Sequence, residues 1–80
     1  MNLDIFTQNV LDFIQQKKTN FNVYNINNTT NLINEKIINS FELIELIIFL
    51  ENQCDRELPI ENFKPDNVKT IEALYNSFYL

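Results

Sequence analysis

Few residues in this sequence have side chains that could carry out chemistry. The chain has no histidine, and Cys54 is its single cysteine. Histidine is the commonest general base and zinc ligand, and a disulfide needs two cysteines. The composition therefore argues against zinc sites, His-dependent catalysis and an intramolecular disulfide. Cys54 falls at an apolar helical position, where we expect a small buried hydrophobe and not a reactive thiol.

Ser40 is the hydroxyl with the most informative surroundings. It follows Asn39 where a helical pattern begins, and Glu42 stands three residues after Asn39. Asn39 or Ser40 can accept a hydrogen bond from a first-turn amide, and Glu42 resembles the acidic half of a capping box. The same helix start favours an anion by roughly 0.3 to 1 kcal/mol, because free amides and the positive end of the dipole lie there. Ser40 is therefore a candidate N-cap at a helix start that favours an anion, and with no adjacent base it is not an activated nucleophile.

Three main helices are predicted to position this serine. Apolar residues at three- and four-residue steps predict a first helix from Asp4 to Lys17-Lys18 and a last helix that Thr70 caps. The second helix starts at Asn39-Ser40, and its core stripe follows helical spacing. That stripe consists of Leu43, Leu46, Ile47, Leu50 and Cys54.

Residues 19–38 are rich in Asn and Thr and predict a long first loop that scattered apolar residues pin to the core. These anchors are Phe21, Val23, Tyr24, Ile26, Leu32 and Ile33. After the second helix we expect a break at Pro59, a short turn or helix at residues 60–63 and a turn at residues 65–67. The sequence thus predicts an all-α bundle of three main helices plus one short helix, without strands. Because the chain has no glycine, any left-handed backbone position must hold Asn, Asp or a strained residue.

The second helix carries a further apolar stripe outside its core stripe. This stripe consists of Phe41, Ile44 and Ile48, spaced i, i+3 and i+7. The acids interleaved with it are Glu42, Glu45 and Glu51. Since a single core needs only one stripe, this face is expected to dock on a basic, partly apolar surface of a partner protein. Alternatively, Phe41 and Ile44 only cover the long loop.

Charge is distributed unevenly along the chain. Acids and bases balance in residues 1–38, so the whole net charge of -5 lies in residues 39–80. An acidic surface repels nucleic acid and anionic membranes, so we expect protein partners and no nucleic acid. The first ten residues lack the features of a signal peptide, and the longest apolar stretch, residues 43–50, is too short to span a bilayer. We therefore expect one domain over residues 1–80, acting as a cytoplasmic monomer.

The residues around Ser40 resemble a known motif. The run IINSFELIEL at residues 37–46 is similar to the attachment motif of acyl and peptidyl carrier proteins, in which an Asp-Ser-hydrophobic triplet opens the second helix. Residues 32–35 resemble the segment that leads into the motif, and residues 49–59 resemble the end of that helix. The family usually has Asp where this chain has Asn39, and Gly commonly stands at the position of Lys36.

The resemblance implies a function. In the family, a phosphopantetheinyl transferase attaches 4′-phosphopantetheine from coenzyme A to the serine, and the terminal thiol of the arm carries an acyl group as a thioester. Ser40 would be the attachment site. Glu42 and Glu45 match acidic positions that contact partner enzymes, and Phe41, Ile44 and Ile48 match the apolar docking surface. The implied partners are the transferase, an acyl- or aminoacyl-loading ligase and acyl-processing or transfer enzymes.

Several alternatives stay open. The cargo could be a fatty acyl group, a polyketide or an amino acid. A helical adaptor that keeps the carrier fold and docking face without the arm is the second hypothesis, and Asn39 in place of Asp favours it. An independent enzyme is the third, although the sequence has no acid-base pair, nucleophile elbow, phosphate loop or metal-ligand cluster to support it.

Overall fold

The computed structural model describes residues 2–58 and 68–79, and this part of the chain is all-helical. Its three α-helices are α1 (Leu3–Lys17), α2 (Ser40–Cys54) and α3 (Ile71–Tyr79), and a single 3-10 turn spans Val23–Asn25. No strand occurs in these two ranges. The prediction of a small bundle with three main helices is confirmed. The predicted break at Pro59, the short element at residues 60–63 and the turn at residues 65–67 lie outside the described residues.

Each α-helix begins with a short polar side chain that accepts a hydrogen bond from the first turn. The side chain of Asn2 accepts from the Ile5 amide at 2.8 Å. Thr70 Oγ1 accepts from the Ala73 amide at 3.0 Å, as predicted. At α2 the cap is Asn39, so Ser40 is the first residue inside the helix. The question of which residue caps α2 is thereby answered in favour of Asn39.

The core is built from one stripe of each helix. The buried residues of the helices are Phe6, Val10 and Ile14 from α1, Leu43, Leu46, Ile47 and Leu50 from α2, and Ile71, Leu74 and Phe78 from α3. The predicted α2 stripe is therefore confirmed except at Cys54. Cys54 is only half-buried because it lies in the last turn of α2, although it packs against the core.

The segment between α1 and α2 is a loop held to the bundle, as predicted. Among its anchors, Val23, Ile26 and Leu32 are buried, and Phe21 and Ile33 are partly buried against the core. Tyr24 is an exception. It is 88% exposed, because it lies in the 3-10 turn where the neighbouring Val23 takes the inward position. The prediction that Tyr24 anchors the loop is wrong.

Asparagine side chains shape the turns of this loop. Asn22 Oδ1 accepts from the Tyr24 amide at 3.0 Å, and Asn27 Oδ1 accepts from the Thr29 amide at 3.0 Å. Asn31 Oδ1 accepts from the amides of the second and third residues that follow it, at 3.2 and 2.9 Å. Such side-chain bonds replace a backbone turn, so asparagine supplies turns in a chain without glycine.

Two described residues have a left-handed backbone. Asp55, with φ 53°, ends α2, and Lys36, with φ 59°, lies four residues before it begins. Asp was expected at such a position, whereas Lys36 is the strained alternative and occupies the place where the carrier motif commonly has Gly. Just after this turn, the amides of Ile37 and Ile38 both donate to the Leu32 carbonyl, at 3.0 and 3.1 Å. The left-handed turn at Lys36, which we call the Lys36 turn, therefore directs the backbone towards the start of α2.

None of the helices in the described ranges has the length and apolar run that crossing a bilayer requires.

The packing of α2 predicts that shortening Leu46 and shortening Ile44, whose side chains are isomers, change the free energy of unfolding by different amounts. Leu46 is fully buried, whereas Ile44 on the same helix is 49% exposed. We expect Leu46→Ala to lower the free energy of unfolding by about 2 to 5 kcal/mol, because it removes buried methyl groups and leaves a cavity. Ile44→Ala should cost less than about 1 kcal/mol. Urea denaturation monitored by circular dichroism measures both, and equal losses would contradict this phase of α2.

The Lys36 turn gives a second prediction. Lys36→Gly should be more stable than Lys36→Ala by about 0.5 to 1 kcal/mol, because removing Cβ relieves the left-handed penalty and outweighs glycine's extra freedom when unfolded. Both variants lose the lysine side chain, so the comparison isolates the backbone. The same pair at Glu35, whose φ is not positive, should show the opposite order. Equal stability of the two Lys36 variants in urea denaturation would show that the left-handed backbone at position 36 is not strained.

Candidate functional site

Ser40 lies in an exposed position at the start of α2. It contributes to the wall of an open concavity of about 410 Å³. The other lining residues are Lys18, Ile33, Lys36, Ile38, Asn39 and Glu42. The C-terminal end of α1 and the long loop thus meet the N-terminal end of α2 around this hydroxyl. A serine in this position is open to an enzyme that approaches from solvent.

A reciprocal pair of hydrogen bonds sets the start of α2. The Glu42 amide donates to Asn39 Oδ1 at 2.8 Å, and the Asn39 amide donates to Glu42 Oε1 at 3.0 Å. This is the capping box that the sequence predicted. The amides of Ser40 and Phe41 have no hydrogen-bond partner within residues 2–58 and 68–79. Two free donors therefore lie beside the Ser40 hydroxyl.

Two ion pairs join the end of α1 to the first half of α2. Lys18 Nζ lies 3.3 Å from Glu42 Oε1, and Lys17 Nζ lies 3.0 Å from Glu45 Oε2. The sequence pattern placed both lysines at a helix C-terminus and both acids on a partner-binding face. It did not predict that they pair, because the residues of each pair come from different helices. Periodicity within one helix carries no signal for such a contact.

Glu42 is held in its ionised form. Its pKa is lowered mainly by the hydrogen bond from the Asn39 amide, with a further contribution from Lys18, while partial burial opposes the shift. A carboxylate with a lowered pKa and two bound donors is a poor general base. The concavity thus presents the Ser40 hydroxyl without a group suited to activate it.

The second apolar stripe of α2 is exposed. Phe41 is 71%, Ile44 49% and Ile48 55% exposed, so each of these side chains keeps a large part of its surface open to solvent. We call these three residues the apolar face of α2. Glu42 and Glu45, which the sequence analysis grouped with this face, are only partly exposed and take part in the ion pairs. Glu51 Oε2 accepts from the Leu58 amide at 2.9 Å and so secures the chain after α2.

The single cysteine lies at the far end of α2, away from this site. A hydrogen bond with the Cys54 thiol is the main cause that raises the pKa of Tyr79 to about 12, and partial burial adds to it. The Arg56 guanidinium lies 4.7 Å from the Tyr79 ring centroid and donates to the Phe78 carbonyl at 3.4 Å. These contacts hold the end of α2 against α3, so the cluster has a structural role.

Neither a search for metal ligands among the described residues nor a comparison with known proteins indicates a function. Within the described ranges, no three His, Cys, Asp or Glu residues are grouped so that they could hold a metal ion. The chain matches no protein-family model, no curated protein and no solved structure. The geometry around Ser40 and the motif at residues 37–46 are the features that indicate a function.

The environment of Glu42 predicts how stability depends on pH. Glu42→Gln keeps an oxygen for the Asn39 amide but lacks the charge, so we expect the variant to be less stable near pH 7 by about 0.5 to 1 kcal/mol. Because the folded pKa of Glu42 lies below the ordinary value of 4.5, this extra stability is present above pH 4.5 and is lost as pH falls through the folded pKa.

Urea denaturation of both proteins between pH 7 and pH 3 measures the difference. Glu35→Gln removes one charge from an exposed residue of the loop and serves as the control. The difference in stability between the wild-type protein and Glu42→Gln should shrink towards pH 3. A constant difference would contradict the prediction that ionised Glu42 stabilises the capping box.

Proposed function

We propose that this chain is an acyl carrier protein, which carries an acyl or aminoacyl group on 4′-phosphopantetheine attached to Ser40 and does not itself catalyse a reaction. The observation that carries the proposal is the position of Ser40. It is exposed at the first position of α2, and the capping of the helix is left to Asn39. The hydroxyl is therefore available for a covalent attachment that leaves the capping box intact.

The residues around Ser40 fit a phosphodiester. The unpaired amides of Ser40 and Phe41 can donate to its oxygens, and Lys36 adds a positive charge in the wall of the same concavity, where Lys18 and Glu42 balance each other. Lys36 is exposed, and neither of the two ion pairs in the described part of the chain involves it. When attached, the arm supplies a thiol that holds the cargo as a thioester near the active site on which the carrier docks.

The apolar face of α2 supports docking next to the attachment point. Phe41 follows Ser40 directly, and Ile44 lies one turn further along the same side of the helix. An enzyme that reaches Ser40 is thus offered an apolar contact area beside it. The proposed partners are a phosphopantetheinyl transferase, a loading ligase and acyl-processing or transfer enzymes, which the chain meets as a cytoplasmic monomer.

An unmodified helical adaptor is the second candidate. The observation that favours it is that Phe41, Ile44 and Ile48 are exposed on α2. Such a face can bind a partner protein whether or not Ser40 carries an arm. The Asn at position 39, where the carrier motif usually has Asp, points in the same direction.

Incubation with coenzyme A and a broad-specificity phosphopantetheinyl transferase tests the proposal. We expect intact-mass spectrometry to show a gain of one phosphopantetheine per chain. Ser40→Ala should abolish the gain, and its fold should be unaffected, because Asn39 provides the cap. The matched control is Ser77→Ala, which changes the only other serine of the chain and should leave the gain intact.

Two results would contradict the proposal. Failure of several transferases to modify the wild-type chain would favour the adaptor. A mass gain that persists in Ser40→Ala would show that another residue is modified. In either case the position of Ser40 would have a structural explanation only, as the first residue after the Asn39 cap.

A further inference from the structure

We infer that Lys18 changes its ionic partner when Ser40 is modified: it leaves Glu42 and becomes the counter-ion of the phosphodiester that joins the arm to Ser40. This inference rests on the proposed function and concerns the regulation of the same site. The features that carry it are the ion pair of Lys18 with Glu42 and the concavity that both residues line together with Ser40.

Lys18 reaches the start of α2 from the end of α1. Its Nζ atom lies 3.3 Å from Glu42 Oε1, and the same oxygen accepts a hydrogen bond from the Asn39 amide at 3.0 Å. Two short contacts in series therefore join the Lys18 ammonium group to the residue before Ser40. A phosphodiester on the Ser40 hydroxyl is thus formed beside a lysine side chain that already lines the same concavity.

The contact of Lys18 with Glu42 can be broken at little cost. The two side chains are 33% and 17% exposed, and ion pairs that water reaches contribute little to stability. Glu42 does not depend on Lys18, because the Asn39 amide is the largest cause that lowers its pKa and stays in place. The Lys18 amide donates to the Ile14 carbonyl at 2.8 Å, and the Lys18 carbonyl accepts from the Phe21 amide at 2.9 Å. Since these bonds fix the backbone, only the side chain has to rotate.

The attached group competes well with the carboxylate. Its covalent bond to Ser40 holds the phosphate oxygens at a high effective concentration beside Lys18. It carries a negative charge and accepts charge-assisted hydrogen bonds from an ammonium group, as a carboxylate does. Because the existing ion pair is weak, a second anion at the same distance is sufficient to draw Lys18 away from Glu42.

The other described charges near the serine are less suited to this role. Lys36 lines the same concavity, but it is exposed, and the adjacent exposed Glu35 offsets its charge. Lys17 is paired with Glu45 at 3.0 Å and is not among the described residues that line the concavity. Lys18 is already partly ordered beside the serine, so it loses less rotamer freedom than the exposed Lys36 when it binds a new anion.

The exchange makes the modified chain differ from the unmodified chain at a second position. Before modification the charge of Lys18 balances that of Glu42. Afterwards it balances the phosphodiester, and Glu42 keeps its hydrogen bond with Asn39 without the bound ammonium group. An enzyme that acts only on the modified chain therefore meets a different arrangement of charges from the one that the transferase meets.

Phosphorus NMR of the modified chain tests the inference. The chain is modified with coenzyme A and a broad-specificity transferase, and the phosphodiester resonance is compared among variants. Lys18→Gln should shift this resonance at least about twice as far as Lys17→Gln. Lys17→Gln is the matched control, because it also removes one charge from the end of α1 and breaks one ion pair with α2. All other charges, including those of residues 59–67, are the same in both variants. A shift no larger than that of the control, or a shift found only in Lys36→Gln, would overturn the inference.

Carboxyl carbon NMR of Glu42 provides a second measurement. In the unmodified chain Lys18→Gln should raise the pKa of Glu42, because Lys18 helps the Asn39 amide to lower it. In the modified chain the same substitution should raise this pKa by about half as much or less, since Lys18 has left Glu42. An equal rise in both chains would overturn the inference and leave Ser40 as the attachment site. Absence of any mass gain in the wild-type chain would instead reject the proposed function and this inference together.

Discussion

The reciprocal hydrogen bonds between Asn39 and Glu42 determine where α2 begins, and the rest of the site follows from that point. They leave Ser40 as the first helical residue, with its hydroxyl exposed and two amides unpaired beside it. The apolar stripe of α2 then sets its rotation, so that Leu46 faces the core and Phe41 faces solvent. Because the same Glu42 carboxylate pairs with Lys18, the capping box connects the start of α2 to α1. One carboxylate therefore contributes to helix initiation, helix packing and the charge around the serine.

The parts of the structure that depend on local sequence could be predicted, and those that depend on packing between distant segments could not. The phase of α2, the capping box and the Thr70 cap are encoded within a few neighbouring residues, and each was predicted. The ion pairs of Lys17 and Lys18 join different helices, so helical periodicity gave no sign of them. Tyr24 was misassigned because a short 3-10 turn has too few residues to establish a pattern.

The lack of glycine affects the loop as much as the helices. Asparagine oxygens hold several of its turns, and Lys36 takes a left-handed conformation for which glycine is better suited. The sequence predicted that such positions would need Asn, Asp or a strained residue, but not which residue would adopt the conformation. That choice depends on the path by which the loop returns to Leu32 and enters α2.

Backbone hydrogen bonds also join the loop to the beginning of α3. The Leu32 amide donates to the Lys69 carbonyl at 2.8 Å, and the Glu72 amide donates to the Asn28 carbonyl at 3.0 Å. These bonds join segments far apart along the chain, so forming them requires closing a long stretch and costs entropy early in folding. The loop that walls the serine's concavity is therefore tied to the beginning of the C-terminal helix, and opening of that end of the loop must break these two bonds. The backbone connection thus gives α3 a physical link to the surroundings of Ser40, although α3 contributes no residue to the concavity's lining.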